Sequence, residues 1–77
     1  MSIKFKTIEG ENAGKEYTAP PDRSVYPPKK GEPYTFPSKE GGDVKTGPVR
    51  EVREKKPGKL WIFKDDKSSH ALEVTEK

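Results

Sequence analysis

Few side chains in this sequence could do chemistry, and most of them lie in its last third. His70 is the only histidine; Ser68 and Ser69 precede it directly, and Asp65 and Asp66 stand close by. A hydroxyl, an imidazole and a carboxylate are the parts of a nucleophile–base–acid relay, which requires hydrogen-bond contact and not mere adjacency in the chain. Asp65 to Ser69 (DDKSS) reads as a turn, so His70 is expected to be a solvated turn histidine. Asp65-Asp66 lacks the alternating carboxylates and the bidentate glutamate of a calcium loop. The lack of cysteine excludes disulfides, thiolate metal sites and cysteine nucleophiles, and with one histidine no zinc site is expected. The expectation is a chain with no catalytic residue, no metal and no cofactor, hence not an enzyme.

Gly10-Glu11-Asn12-Ala13-Gly14-Lys15 looks at first like a phosphate-binding loop. That signature needs four residues between the glycines, then Lys-Ser/Thr at the start of a helix. Here three residues intervene, Glu16 follows Lys15, and no helical pattern begins, so a hairpin turn is the reading. The stretch GENAGKEY also resembles the opening turn of forkhead-associated domains, which bind phosphothreonine. The arginine and serine–asparagine motifs of that family have no counterpart downstream, so the resemblance is set aside.

The most informative charge feature is REVREKKPGK, with Arg50, Arg53, Lys55, Lys56 and Lys59 set against Glu51 and Glu54. On a strand, residues two apart share a face, and the turn that follows extends a basic rim. If Leu60 and Ile62 of the next strand face the core, Trp61 lies partly exposed beside that rim. Cations around an aromatic platform suit single-stranded nucleic acid, through phosphate contact and base stacking, or an acidic protein surface. The alternative is that Trp61 anchors the core and the charges are a solvated face. A second candidate surface is the Pro/Tyr segment, where Tyr26, Tyr34 and Phe36 punctuate PPDRSVYPPKKGEPYTFPSKEGG. It contains no usable ligand motif for SH3 or WW domains and reads as a stiff extended connection.

The elements that must position these groups are strands. Ile3 to Ile8 alternates, with Ile3 and Phe5 on one face and Lys4 and Lys6 on the other. Lys15 to Ala19 is a short strand ended by Pro20-Pro21. Residues 20–42, which hold six of the eight prolines, are expected to be one long loop, partly docked by its aromatics and with at most one edge strand at Tyr34-Thr35-Phe36. Asp43 to Lys55 is expected to be one strand, bulged near Gly47-Pro48, because Val44 and Val52 share a parity that Val49 does not. Leu60 to Phe63 is apolar on both faces, as in a central strand. Ala71 to Thr75 closes a three-stranded antiparallel meander, with Leu72 and Val74 inward. No helical periodicity and no repeat are found.

Composition agrees. Of 77 residues, 27 % are hydrophobic and 38 % charged, and eight prolines and seven glycines punctuate the chain. A domain this small buries only about 60 % of the surface its unfolded chain exposes, so a thin core is expected. The fold expected is one small, mainly β domain over residues 1–77: an SH3-like or partly open β-barrel, or a twisted antiparallel sheet, with a long Pro-rich loop. The opening MSIKFKTIEG has no signal-peptide apolar stretch, and no apolar run is long enough to span a membrane, so a reducing, cytoplasmic setting is expected.

Two function classes follow. The first is a protein-binding accessory module, a regulator or inhibitor of larger machinery such as a virus or mobile element encodes, docking through a strand edge and the Tyr/Pro loop. The alternative is a nucleic-acid-binding protein using the basic β surface. The protein partner is placed ahead, because the net charge is only +3 and acidic residues interrupt every basic run.

Overall fold

The computed structural model describes residues 2–75. These form seven strands: β1 (Ser2–Gly10), β2 (Glu16–Thr18), β3 (Pro33–Pro37), β4 (Asp43–Pro48), β5 (Glu51–Lys56), β6 (Leu60–Lys64) and β7 (Ser68–Thr75). The fold is mainly β. Five strands make one antiparallel sheet in the order β2-β1-β7-β6-β5, and β3 and β4 pair as a separate hairpin. No closed barrel is formed by the described residues.

The alternation of β1 survives as expected. Ile3, Phe5 and Thr7 are buried while Lys4 and Lys6 are exposed. Phe5 lies opposite Tyr17 on β2 and Leu72 on β7. Leu72 in turn faces Trp61, and His70 faces Phe63, which faces Val52. Directly opposed residues share a face, so this sequence of pairs defines the inner face of the five-stranded sheet. The β3–β4 hairpin supplies the other side of the core. Phe5 is the hub, its ring centroid 5.0 Å from Phe36, 6.0 Å from Tyr34 and 5.9 Å from Phe63. Burying an aromatic ring of this size contributes about 1.5–3 kcal/mol, so a few rings carry much of a thin core.

The structure refines the sequence expectations at three points. The bulge expected near Gly47-Pro48 is present, with Thr46 and Gly47 of β4 standing against Tyr34 of β3, but residues 43–55 form two strands in different sheets and not one. Val49 stays with the hairpin: its N–H donates to the Glu32 carbonyl and its own carbonyl accepts from Gly31 N–H. At the next residue, Arg50 N–H donates to the carbonyl of Lys64 on β6. The parity mismatch between Val44 and Val49 comes from the bulge in β4, since both residues lie on the hairpin side and the switch of sheet follows only after Val49. Second, the edge strand expected at Tyr34-Thr35-Phe36 is present as β3, and its aromatics dock more deeply than expected, Tyr34 and Phe36 being among the most buried side chains. Third, of the two orientations open to the apolar run of β6, the one with Trp61 in the core is taken. Trp61 and Phe63 point inward, and Leu60 and Ile62 take the outer face.

The turn between β1 and β2 depends on Gly10. Its φ of +103° is open to glycine, and a Cβ there would sit 2.7 Å from the Cα of Ser68. The start of β7 therefore lies directly against this turn.

Candidate functional site

The basic rim is present but is not assembled as the sequence suggested. Arg53 is exposed on β5 and pairs across to Ile62, on the outer face. Lys55 is the extra residue where the β5–β6 register shifts, and Lys56 lies opposite Leu60. Lys59 ends the turn, its N–H donating to the Lys56 carbonyl. Trp61 is half-buried on the inner face, packed against the core. It is therefore on the opposite side of the sheet from Arg53 and forms no aromatic platform for these cations. Arg50 is also committed. Its Nε and Nη2 donate to the two carboxylate oxygens of Asp66 at 2.6 and 3.2 Å. That contact raises the guanidinium further and holds the Asp66 carboxyl below its usual range. It ties the β4–β5 junction to the β6–β7 turn, with both side chains more than half exposed.

The Tyr/Pro segment likewise divides. Tyr34 and Phe36 are core residues and present no binding surface. The Tyr34 hydroxyl donates to the carbonyl of Tyr26 at 2.8 Å, and burial raises its pKa well above that of a free tyrosine. Tyr26, 50 % exposed, is the one member of the proposed trio that reaches solvent.

What the structure does bring together is the outer face of the five-stranded sheet. Register places two rows across it: Lys6–Ala71–Ile62–Arg53, and Lys4–Glu73–Leu60–Lys56. Aliphatic side chains on the two middle strands are thus flanked by cations on both sides. Among the described residues no strand lies over this face, since the β3–β4 hairpin packs on the other side with Tyr34 and Phe36 against Phe5. Around Ile62 it opens into a hollow of about 470 Å³ edged by Lys30, Arg53, Lys55 and Lys64, with Glu51 as the one acid in its lining. The Glu51 carboxylate lies 3.4 Å from Lys64 Nζ. Ile8, 41 % exposed where the β1–β7 register shifts, adds a further apolar side chain. Lys4, Lys6 and Ile62 were not singled out from the sequence. The alternation of β1 shows that its lysines share a face, but only the β1–β7 pairing sets that face beside β6.

At one end of the core the structure also builds a polar cluster that sequence reading missed. His70 is not a solvated turn residue. It is buried in β7, opposite Thr7, with its ring 5.2 Å from both Phe5 and Phe63. Nδ1 lies 3.0 Å from the Thr7 hydroxyl and Nε2 lies 3.3 Å from Asp65 Oδ2. Burial lowers the pKa of His70 despite the neighbouring carboxylate. The neutral tautomer with its proton on Nε2 satisfies both contacts: Thr7 donates to Nδ1, and Nε2–H donates to Asp65. Asp65 Oδ1 accepts from the N–H groups of Lys67 and Ser68, and Oδ2 accepts from Gly47 N–H on β4. Burial pushes this carboxyl up, but the bonds from Lys67, Ser68 and His70 outweigh it and the pKa falls below 3.8.

Thr7, His70 and Asp65 thus stand in the order of a nucleophile–base–acid relay, beside a cleft of about 390 Å³. Thr7 is only 3 % exposed, however, and its hydroxyl is spent on the imidazole. The cluster's evident chemistry is to satisfy buried polar groups and to clamp β4, the β6–β7 turn, β7 and β1 together. No group of three potential metal-ligating side chains occurs among the described residues. No protein-family model matches this chain, and neither a curated protein nor a solved structure is similar to it.

Proposed function

We propose that this chain is a small, non-catalytic protein-binding module, an accessory, regulator or inhibitor of larger machinery such as a virus or mobile element encodes. It docks through the outer face of its five-stranded sheet. The observation that carries the reading is the hollow around Ile62, an apolar floor edged by four cations. A cationic border around a small apolar centre suits an acidic protein surface with an apolar protrusion. The same reading takes the architecture as a small, partly open barrel of SH3-like kind, supported by the passage of β4 through Val49 into β5. A cytoplasmic setting belongs to it as well.

Nucleic acid is the competing partner. The inward position of Trp61 removes the aromatic stacking surface which that reading relied on, and Glu51 and Glu73 stand among the remaining cations, Glu51 paired with Lys64. Against an enzyme stands the commitment of the Thr7, His70 and Asp65 polar atoms to one another.

Two measurements separate these readings. Labelled single- and double-stranded oligonucleotides are titrated at about 50 mM salt, where phosphate contacts are strongest. Affinity capture from cell extract is followed by mass spectrometry. A protein enriched by the wild-type chain and lost with Arg53→Glu/Lys55→Glu, without oligonucleotide binding, is the expected result. Micromolar oligonucleotide binding that weakens steeply with salt, with no enriched protein, overturns the proposal.

A further inference from the structure

The outer face also restricts what kind of protein segment can occupy it. Most of its cations stand in two groups, and Lys64 of β6, between them, is paired with Glu51. Lys4 and Lys6 belong to β1, exposed and on the face away from Phe5. Arg53 and Lys56 belong to β5, and Lys30 and Lys55 border the same side. Between them run β7 and β6, carrying Ala71, Ile62 and Leu60 on this face. The separation of the two groups follows from the sheet. Neighbouring strands lie about 4.8 Å apart, so β1 and β5, three steps apart, are separated by about 14 Å. An α-helix with its side chains is about 10–12 Å across. Laid on the two middle strands, it sets an apolar ridge on Leu60, Ile62 and Ala71 and carries acidic side chains outward on both flanks to Lys4 and Lys6 on one side and Arg53 and Lys55 on the other.

An extended segment fits less well. A single strand laid on the face is too narrow to meet both cation groups. Addition at the β5 edge would pair a partner strand against Glu51, Arg53, Glu54, Lys55 and Lys56, a charged edge of the kind that resists strand addition. The β2 edge is only three residues long. Helix-on-face docking is therefore the mode in which apolar contact and both cation groups act together.

Resting on the protein-binding reading above, we propose that the occupant is an acidic amphipathic helix of a partner protein, with aliphatic residues spaced i, i+3, i+4 and i+7 and Asp or Glu on both flanks. Glu73, which lies between Lys4 and Leu60 in the register, disfavours an acid directly above it and favours a basic or neutral residue at that point of the helix.

The test is a proton–nitrogen NMR titration of the full chain with a synthetic peptide of this pattern, about 20 residues long. A second peptide has the same composition, scrambled so that it has no apolar face. The expected result is shifts at Lys6, Arg53, Ile62 and Ala71 with the patterned peptide, about tenfold weaker binding to Arg53→Glu/Lys55→Glu, and little response to the scrambled peptide. Equal binding of both peptides overturns the helix and leaves an acidic partner of another shape. Shifts confined to the Thr7–His70 cleft or the Tyr26 loop, or no shifts at millimolar peptide, overturn it as well. The affinity-capture comparison above keeps the two failures apart. If a captured protein is lost with the same double substitution while the patterned peptide does not bind, only the helix is wrong; if neither binds, the docking face itself is wrong.

Discussion

Asp65 Oδ2 lies 3.3 Å from His70 Nε2 and at the same distance from the backbone nitrogen of Gly47. One carboxylate thereby joins the five-stranded sheet to the β3–β4 hairpin. The other oxygen of the same group closes the turn from Asp65 to Ser68. The contact bridges the two layers that enclose Phe5, Phe36 and Phe63.

Removing that carboxylate should be costly. Asp65→Ala leaves Gly47 N–H, the turn amides and the imidazole proton without their acceptor, with the side chain 9 % exposed in the native fold. A loss of about 2–4 kcal/mol is expected from urea unfolding. Asp66→Ala, which removes only an exposed pair with Arg50, should shift the midpoint far less. Equal effects would show that Asp65 is not the clamp.

Stability should fall on the acid side in two stages. Folded His70 takes up a proton less readily than the unfolded chain, whose imidazole titrates near 6.5. Its contribution is complete above 6.5 and is lost as pH drops through the folded pKa, because the unfolded state binds the proton first. Asp65 repeats this lower down, with a folded pKa below 3.8, so its contribution disappears below 3.8. Urea midpoints measured between about pH 3 and 8 should show both stages. His70→Gln should remove the upper one and leave the lower. A wild-type midpoint that rises on acidification below 6.5 would contradict the assignment.

Gly10→Ala should destabilise more than Gly14→Ala, by at least about 1 kcal/mol. Both glycines have positive φ, but a Cβ at Gly14 meets nothing within 4 Å, while one at Gly10 meets the backbone of Lys67 and Ser68. Comparing the two variants by thermal melting separates close approach from conformational strain.

The two rings reassigned to the core also give graded expectations. Trp61→Ala, at a half-buried site, should cost about 2–3 kcal/mol, less than the roughly 3–5 expected for Phe5→Ala at the hub. Tyr34→Phe keeps the ring and loses only the bond to the Tyr26 carbonyl, about 1 kcal/mol. Chemical denaturation of the three variants should show the largest loss for Phe5→Ala, an intermediate one for Trp61→Ala and the smallest for Tyr34→Phe.

Much of the fold was legible because β patterning is local. The alternation of Ile3, Lys4, Phe5 and Lys6 shows β1 and its inner face. The Pro57-Gly58 turn, where Gly58 takes a φ of +69°, marks the β5–β6 hairpin. What was not legible depended on pairing between distant segments. LWIF is apolar on both sides, so its parity is set only by Val52 opposite Phe63 and Leu72 opposite Trp61. His70 follows a serine pair that resembles the end of a turn, and only the pairing with β1 brings it to Thr7, 63 residues away. The inserted residue in β4 was legible as the parity mismatch between Val44 and Val49, whereas the sheet switch after Val49 depends on the pairing of Arg50 with distant Lys64. The candidate surface was half visible. Arg53, Lys55 and Lys56 came from charge density, whereas Ile62 as their apolar centre required the register.

The central claim is that binding resides on the outer face of the five-stranded sheet and not in the Tyr26 loop. The most direct test compares the wild type, Arg53→Glu/Lys56→Glu and Tyr26→Ala in one capture experiment, with the melting temperature of each recorded. The account expects the double variant to lose the captured protein while melting close to the wild type, and Tyr26→Ala to retain it. Capture that survives the double variant and disappears with Tyr26→Ala would contradict it.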